Sequence, residues 1–262
     1  MFKSKKLISL VVIAIVIISF LGFIKRRYAI PILMYHSVSP LVEKNDRLKI
    51  TPDNFDRQMH FLRAQRYNII TLEEVADLLR NNKKIPARTI AVTFDDGYRD
   101  NYTYAYPILK KYRIPATIFI IVSEVGRVQG DRLFWNKIKD MQSSGLITLG
   151  SHTFNHPWLP EVASDDILKN EIMGSKKVLE DKIGAKVNSF CYPGGRLNAK
   201  IKKTVIDSGY KVAVATKAKG MLSNTDIFAL RRIRVSQSSN NLFIFWAQTS
   251  GYYNVFQEGK KK

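Results

Sequence analysis

A single cysteine in 262 residues, Cys191, excludes an intramolecular disulfide, so stability must come from a packed core. Hydrophobic residues make up 45% of the chain, enough to build one. Acidic side chains are scarce: 22 Asp and Glu face 42 Lys and Arg, for a net charge of +20. That balance suggests an anionic neighbour such as a phospholipid surface, an anionic cell-surface polymer or nucleic acid. No basic helix, zinc finger or aromatic RNA-binding motif is present, which leaves nucleic acid without support. No Gly-x-Gly-x-x-Gly opens a helix, so dinucleotide binding has no support either. Repeats, low-complexity tracts and interdomain linkers are also missing, and there are only four histidines.

Residues 7–24 carry no charge at all. As a helix they would span roughly 27 Å at about 1.5 Å per residue, close to a bilayer core. Basic residues flank them on both sides, and no small-residue cleavage site or lipidation cysteine stands nearby. The expectation is a cytoplasmic tip and uncleaved signal anchor over residues 1–27. Residues 28–262 then form the main domain outside a bacterial cell membrane. Secretion after signal cleavage is the alternative.

Beyond the anchor, short β-branched runs alternate with helical patterns. Ile30–His36 reads as a first strand, residues 37–50 as a polar loop, and Pro52–Gln65 as a helix. Thr71–Glu74 matches a capping box opening another helix. Strands are expected over Arg88–Phe94, Pro115–Val122, Leu146–Gly150, Val187–Tyr192, Lys211–Ala215 and Ala229–Val235. The intervening helices include a tyrosine-rich one to Tyr112, Phe134–Gln142, Asp165–Ile183, Ala199–Asp207 and Asn240–Gln248. This alternation predicts a parallel α/β architecture, open or closed.

Two stretches carry chemistry. Thr93-Phe94-Asp95-Asp96-Gly97-Tyr98 puts adjacent carboxylates at a strand's carboxyl end, where α/β folds bind ligands. Their side chains diverge, so one could hold a metal while the other takes a proton. A solvated Asp-Asp-Gly turn is the bland alternative. Ser151-His152-Thr153-Phe154-Asn155-His156 offers two histidines four apart, able to share a metal if the turn is near-helical. With Asp96 they complete a two-histidine, one-carboxylate set that leaves room for water and substrate. His36 also ends a strand. His60 falls on a helix and reads as a surface or packing residue.

These stretches resemble the first two motifs of the polysaccharide deacetylases, the NodB-homology domain of carbohydrate esterase family 4. The resemblance covers roughly Ile30 to Val235, and Leu133-Phe134-Trp135-Asn136-Lys137 adds to it. It implies a distorted (β/α)7 barrel and hydrolysis of N-acetyl groups on a glycan. It also implies Asp95 as catalytic base, and Asp96, His152 and His156 as ligands of a divalent metal: zinc, or else cobalt or nickel.

The third motif departs from the family pattern. Phe190-Cys191-Tyr192-Pro193-Gly194-Gly195 stands where many relatives have Arg-x-Pro-Tyr-Gly. Cys191 replaces the arginine that steadies the base; Arg231, Arg232 or Arg234 could substitute, with Arg232 the preferred candidate. Gly194 keeps a backbone donor for the oxyanion. The late Leu-His that supplies a general acid is missing. Met34-Tyr35-His36 instead resembles an amino-terminal motif of the poly-β-1,6-N-acetylglucosamine deacetylases, which implies that His36 is the acid. Tyr192, Pro193 and Trp135 are expected at the substrate, and Trp158 is a further aromatic that could meet sugar rings. A peptidoglycan or chitooligosaccharide deacetylase, or a non-catalytic glycan-binding protein, are the alternatives.

Overall fold

The computed structural model describes residues 28–43, 46–216 and 226–253, together with Ser19 and Gly22. The expected membrane-spanning run at 7–24 lies almost wholly outside the described residues. Among those described, no helix is long and apolar enough to cross a membrane.

The core of the fold is a parallel, nearly closed barrel. Strands β1 (Ile32–Tyr35), β2 (Ser37–Val38), β3 (Lys49–Ile50), β4 (Asn68–Ile69), β5 (Thr89–Phe94), β6 (Ala116–Ile120), β7 (Ile147–Ser151), β8 (Ser189–Cys191) and β9 (Val212–Ala215) are followed by β10 (Leu230–Arg231) and β11 (Ile233–Arg234). In space β9, β8, β7, β6, β5 and β1 run side by side. The two halves of the last segment then bridge the ends: β10 pairs with β9, and β11 pairs with β1. Counted as one stave, that segment gives the seven-stave barrel the resemblance implies, and closes the parallel sheet that the alternation left open or closed.

The strand β5 shows why the barrel is two-sided. Every residue of Thr-Ile-Ala-Val-Thr-Phe is buried, as expected for a parallel strand covered on both faces. One side packs into the larger apolar cluster with Ile90, Val92 and Phe94; Ala91 joins a second cluster with Ile32, Phe119, Cys191 and Val214. Helices cover the outside. Thr71 caps Leu72–Arg80 in a full capping box with Glu74, as the sequence pattern predicts.

The structure corrects the sequence reading in several places. The 37–50 stretch is not simply a loop, since β2 and β3 pair within it. Strand β4, beside β5, had no sequence counterpart, being only two residues long. The stretch 229–235 is not one strand but two, divided at Arg232. The Asp165–Ile183 helix, capped by Ser164, contains a π-turn at Asn170–Gly174. The tyrosine-rich helix begins with another at Asn101–Ala105. Such turns widen a helix by one residue and often accompany functional sites.

Candidate active site and metal centre

All the strand-end residues singled out in the sequence meet at the carboxyl rim of the barrel. β1 delivers His36, β5 delivers Asp95 and Asp96, β7 delivers His152, and β8 ends in Cys191. The two aspartates separate as their successive positions predict.

Asp95 turns inward and is buried. Arg232 grips it with both guanidinium nitrogens, each 2.6 Å from a carboxylate oxygen, and also donates to Thr93 Oγ1 at 3.1 Å. Such a fork-to-fork pair is the strongest form of charged hydrogen bond. Burial alone would raise the Asp95 carboxyl, but the Arg232 charge and hydrogen bonds outweigh it and hold the group well below the usual carboxylate range. Arg232 therefore supplies what Cys191 cannot. It reaches the site because the last stave breaks at this residue, which is wholly shielded from solvent. Of the three candidate arginines, Arg231 and Arg234 stay half-buried.

Cys191 packs between these groups, its Sγ 3.7 Å from both Asp95 oxygens and 3.0 Å from an Arg232 nitrogen. Burial pushes its thiol well up, so it stays protonated. Asp95, His152 and Cys191 also cluster closely enough to suggest a metal site. The Arg232 cation already serves that cluster, so a dication there would meet like charge.

Asp96 turns outward in a left-handed conformation, φ 69°. Its Oδ1 lies 3.5 Å from His152 Nε2 and 3.9 Å from His156 Nε2. Ligands about 2.1 Å from a tetrahedral ion sit roughly 3.3–3.5 Å apart, so only a small contraction is needed. His152 Nδ1 donates to the Cys191 carbonyl at 2.8 Å, which leaves the Nε2 lone pair directed at Asp96. Two imidazoles and a carboxylate suit a borderline divalent cation, and these three side chains fit one. Burial first, and the neighbouring His152 second, pull His156 down to about 4, so it is neutral and ready to coordinate near neutral pH.

The His152–His156 turn is not helical, contrary to the simplest route to a shared metal. Thr153 and His156 both have positive φ, 68° and 62°. For a β-branched threonine this is uncommon and costly. Ser151 Oγ accepts from the Thr153 amide, and Thr153 Oγ1 accepts from the His156 amide. Glu171 completes the clamp. Its Oε2 accepts from the amides of Phe154 and Asn155 at 3.0 and 2.8 Å, and its Oε1 from Asn155 Nδ2 at 2.7 Å. Sequence reading missed Glu171. The signal was its place on the buried stripe with Leu168, Ile172 and Leu179, where a carboxylate needs partners.

His36 is buried, with Nε2 3.9 Å from Asp95 Oδ2. The π-turn at Asn101 holds its backbone, through Asn101 Nδ2 to the His36 carbonyl at 2.8 Å. Burial lowers the imidazole more than nearby Asp95 raises it. Gly194 is exposed on the turn that follows β8, with φ 61°. Pro193 is buried beside it. Tyr192 cannot meet substrate: its ring is buried against Phe190, and its hydroxyl donates to the Phe228 carbonyl at 2.9 Å. Trp135 packs partly buried against the core, with Lys182 Nζ 6.0 Å from its ring. His60 is exposed on its helix beside Tyr112, away from these groups.

The chain is similar to several known proteins. The family model for polysaccharide deacetylase matches residues 82–213. YxkH of Bacillus subtilis, a protein assigned to the polysaccharide deacetylases, is 34% identical over 207 residues, 79% of this chain and 71% of that protein. A poly-β-1,6-N-acetyl-D-glucosamine N-deacetylase of Staphylococcus aureus is 27% identical over 200 residues, 72% of this chain and 69% of that one. The Streptococcus pyogenes deacetylase PplD, solved with acetate, superposes with TM-score 0.73 at 34% identity, covering 82% of this chain and 96% of its own. IcaB from Ammonifex degensii gives TM-score 0.74 at 29% identity, covering 84% and 97%.

Proposed function

Because the chain belongs to the polysaccharide deacetylase family, we propose that it strips N-acetyl groups from an extracellular polymer of the poly-β-1,6-N-acetylglucosamine type, using a divalent metal, with zinc the first candidate. The observation that carries this reading is the meeting of His36 with Asp95 at the rim that also holds Asp96, His152 and His156. An early histidine in that place supports the poly-β-1,6-N-acetylglucosamine branch, as does the Staphylococcus aureus relative. The relatives of higher identity, YxkH and PplD, are named only as deacetylases, so a second reading stands beside the first: another N-acetylated wall glycan such as peptidoglycan or chitooligosaccharide. Retention of both aspartates and both histidines speaks against a purely glycan-binding role.

Asp96, His152 and His156 would hold the metal, and Asp95 would face the attacking water. When bound, such an ion supplies Lewis acidity to that water and to the acetyl carbonyl. Asp95 takes the water proton as general base. Gripped by Arg232, it is too weak a base to keep that proton, and His36 is the better acceptor 3.9 Å away. His36 then delivers the proton to the amide nitrogen, which must leave as an amine. The Gly194 amide is assigned to the oxyanion. In this reading residues 7–24 anchor the domain on the outer face of the cell membrane, and the +20 charge holds it against anionic surface polymers.

The test is acetate release from acetylated β-1,6- and β-1,4-linked glucosamine oligomers and peptidoglycan, before chelation and after metal is restored. Release from the β-1,6 oligomer that chelation abolishes and zinc, cobalt or nickel restores is the expected result. Release from the wall glycans alone would move the assignment to the second reading. No release from any of them would overturn the proposed substrate class.

A further inference from the structure

We propose that Trp158, backed by Arg196, is a stacking platform for a pyranose ring of the glycan, beside the reacting sugar. The proposal rests on the glycan reading above and deepens it. Trp158 follows His156 by two residues, so the loop that carries a metal-site histidine also carries the indole. The indole leans on the turn assigned to the oxyanion: a Cβ placed on Gly194 would lie 3.5 Å from Trp158 Nε1. One face of the ring is covered by the Arg196 guanidinium, 3.7 Å from its centroid. Arg196 is itself held by Glu161 at 3.3 Å.

These contacts fix the ring plane while leaving the side chain 48% exposed. With one face covered by Arg196, the opposite face is the one a sugar would take. Trp135 and Tyr192 offer no comparable surface, since one packs against the core and the other is buried. An indole face carries negative charge density and a large apolar area. The axial C–H groups of a pyranose present the complementary surface. Exposed Arg196 and Glu161, beside the ring, are polar groups that can hydrogen-bond the hydroxyl and acetamido groups of neighbouring sugars. Because the platform joins the metal loop to the Gly194 turn, a sugar seated on it would lie next to the acetyl group in the site.

The test compares Trp158→Ala, Trp158→Phe and Arg196→Ala with the wild-type full chain, on a β-1,6-linked N-acetylglucosamine pentamer and on 4-nitrophenyl acetate. Trp158→Ala should cut kcat/KM on the pentamer at least tenfold more than on the ester, mainly through KM, with metal content retained. Trp158→Phe should recover most of the loss, and Arg196→Ala should lose roughly two- to fivefold. Equal losses on both substrates, or a fall in bound metal matching the fall in rate, would overturn the platform and make Trp158 a brace of the loop. Pentamer binding read by saturation-transfer NMR separates this proposal from the catalytic one. Binding that depends on Trp158 without acetate release would sink the deacetylase reading and keep the platform; binding unchanged in Trp158→Ala would overturn the platform whatever the turnover.

Discussion

Asp95 and Asp96 are neighbours in the chain with opposite surroundings. Asp95 sits in a closed pocket with Arg232, Cys191 and His36, where its charge is balanced by a buried guanidinium. Asp96 stands at the open rim with the Nε2 atoms of His152 and His156 3.5 and 3.9 Å from its Oδ1. The inner group is a finished ion pair; the outer one is a set of lone pairs arranged to hold a cation. The difference shows how one strand end serves two tasks: a half-turn of the backbone changes the charge partner and the exposure together.

The sharpest way to break the comparison is to neutralise each aspartate. Asp95→Asn should lower glycan turnover by about two to four orders of magnitude, the usual worth of a general base, while metal stays bound. Asp96→Asn should instead release metal. Metal analysis beside rate measurement checks both, and equal metal loss in the two variants would erase the distinction. His36→Ala should cost about as much on glycan amides but less on an aryl acetate, whose phenolate leaves without a proton. An equal loss on amide and ester would remove His36 from the mechanism.

Removing the inner guanidinium tests the pocket itself. Arg232→Met should destabilise the fold by about 3–5 kcal/mol, because Asp95 would be left buried and unpaired. Denaturant unfolding measures this, and the double variant with Asp95→Asn should recover part of the loss. No recovery would mean that Arg232 matters to packing rather than to the pair.

The outer set should respond more gently. Glu171→Gln replaces one of two accepting oxygens with an amide donor; with the remaining oxygen on the Phe154 and Asn155 backbone amides, it loses the bond from Asn155 Nδ2 and the charge that strengthens the clamp. Metal affinity should fall about 10–100-fold, as for other groups that support a metal-site histidine, with the barrel still folded. Titration with zinc checks this, and unchanged affinity would show that the clamp is not needed.

The smallest effect concerns pH. His36 and, at about 4, His156 have folded pKa values below the unfolded value of about 6.5. The unfolded chain therefore binds more protons below that pH, and metal-free protein should be fully stable above about pH 6.5 and lose stability toward pH 4. His156→Gln should flatten the slope; the same slope in both proteins would clear His156.

How much of this was legible in the sequence depends on how local each feature is. Asp95, Asp96, His152 and His156 stand directly after strands whose β-branched runs are plain, so their convergence followed from parallel topology. Arg232 was visible only as one of three arginines in Arg-Arg-Ile-Arg. Strand alternation presumes an unbroken strand, and here the strand breaks at the residue that matters. Glu171 was hidden because a glutamate in a helix reads as solvent-facing unless its partners, from the loop 16 and 17 residues earlier, are known. Tyr192 shows the reverse error: an aromatic beside the motif reads as a sugar contact, yet its hydroxyl is spent on Phe228.

The stave that closes the barrel is also the last part of the barrel to be synthesised, and it carries Arg232. Every other group of the site is in place earlier in the chain, but Asp95 gains its counter-cation only when Leu230–Arg234 docks between β9 and β1. Until that stave docks, Asp95 has no guanidinium against it. A polypeptide ending before Ala229 should bind metal weakly if at all and release no acetate. Adding a peptide of residues 226–253 should restore some of that activity if docking of the stave is the arming step.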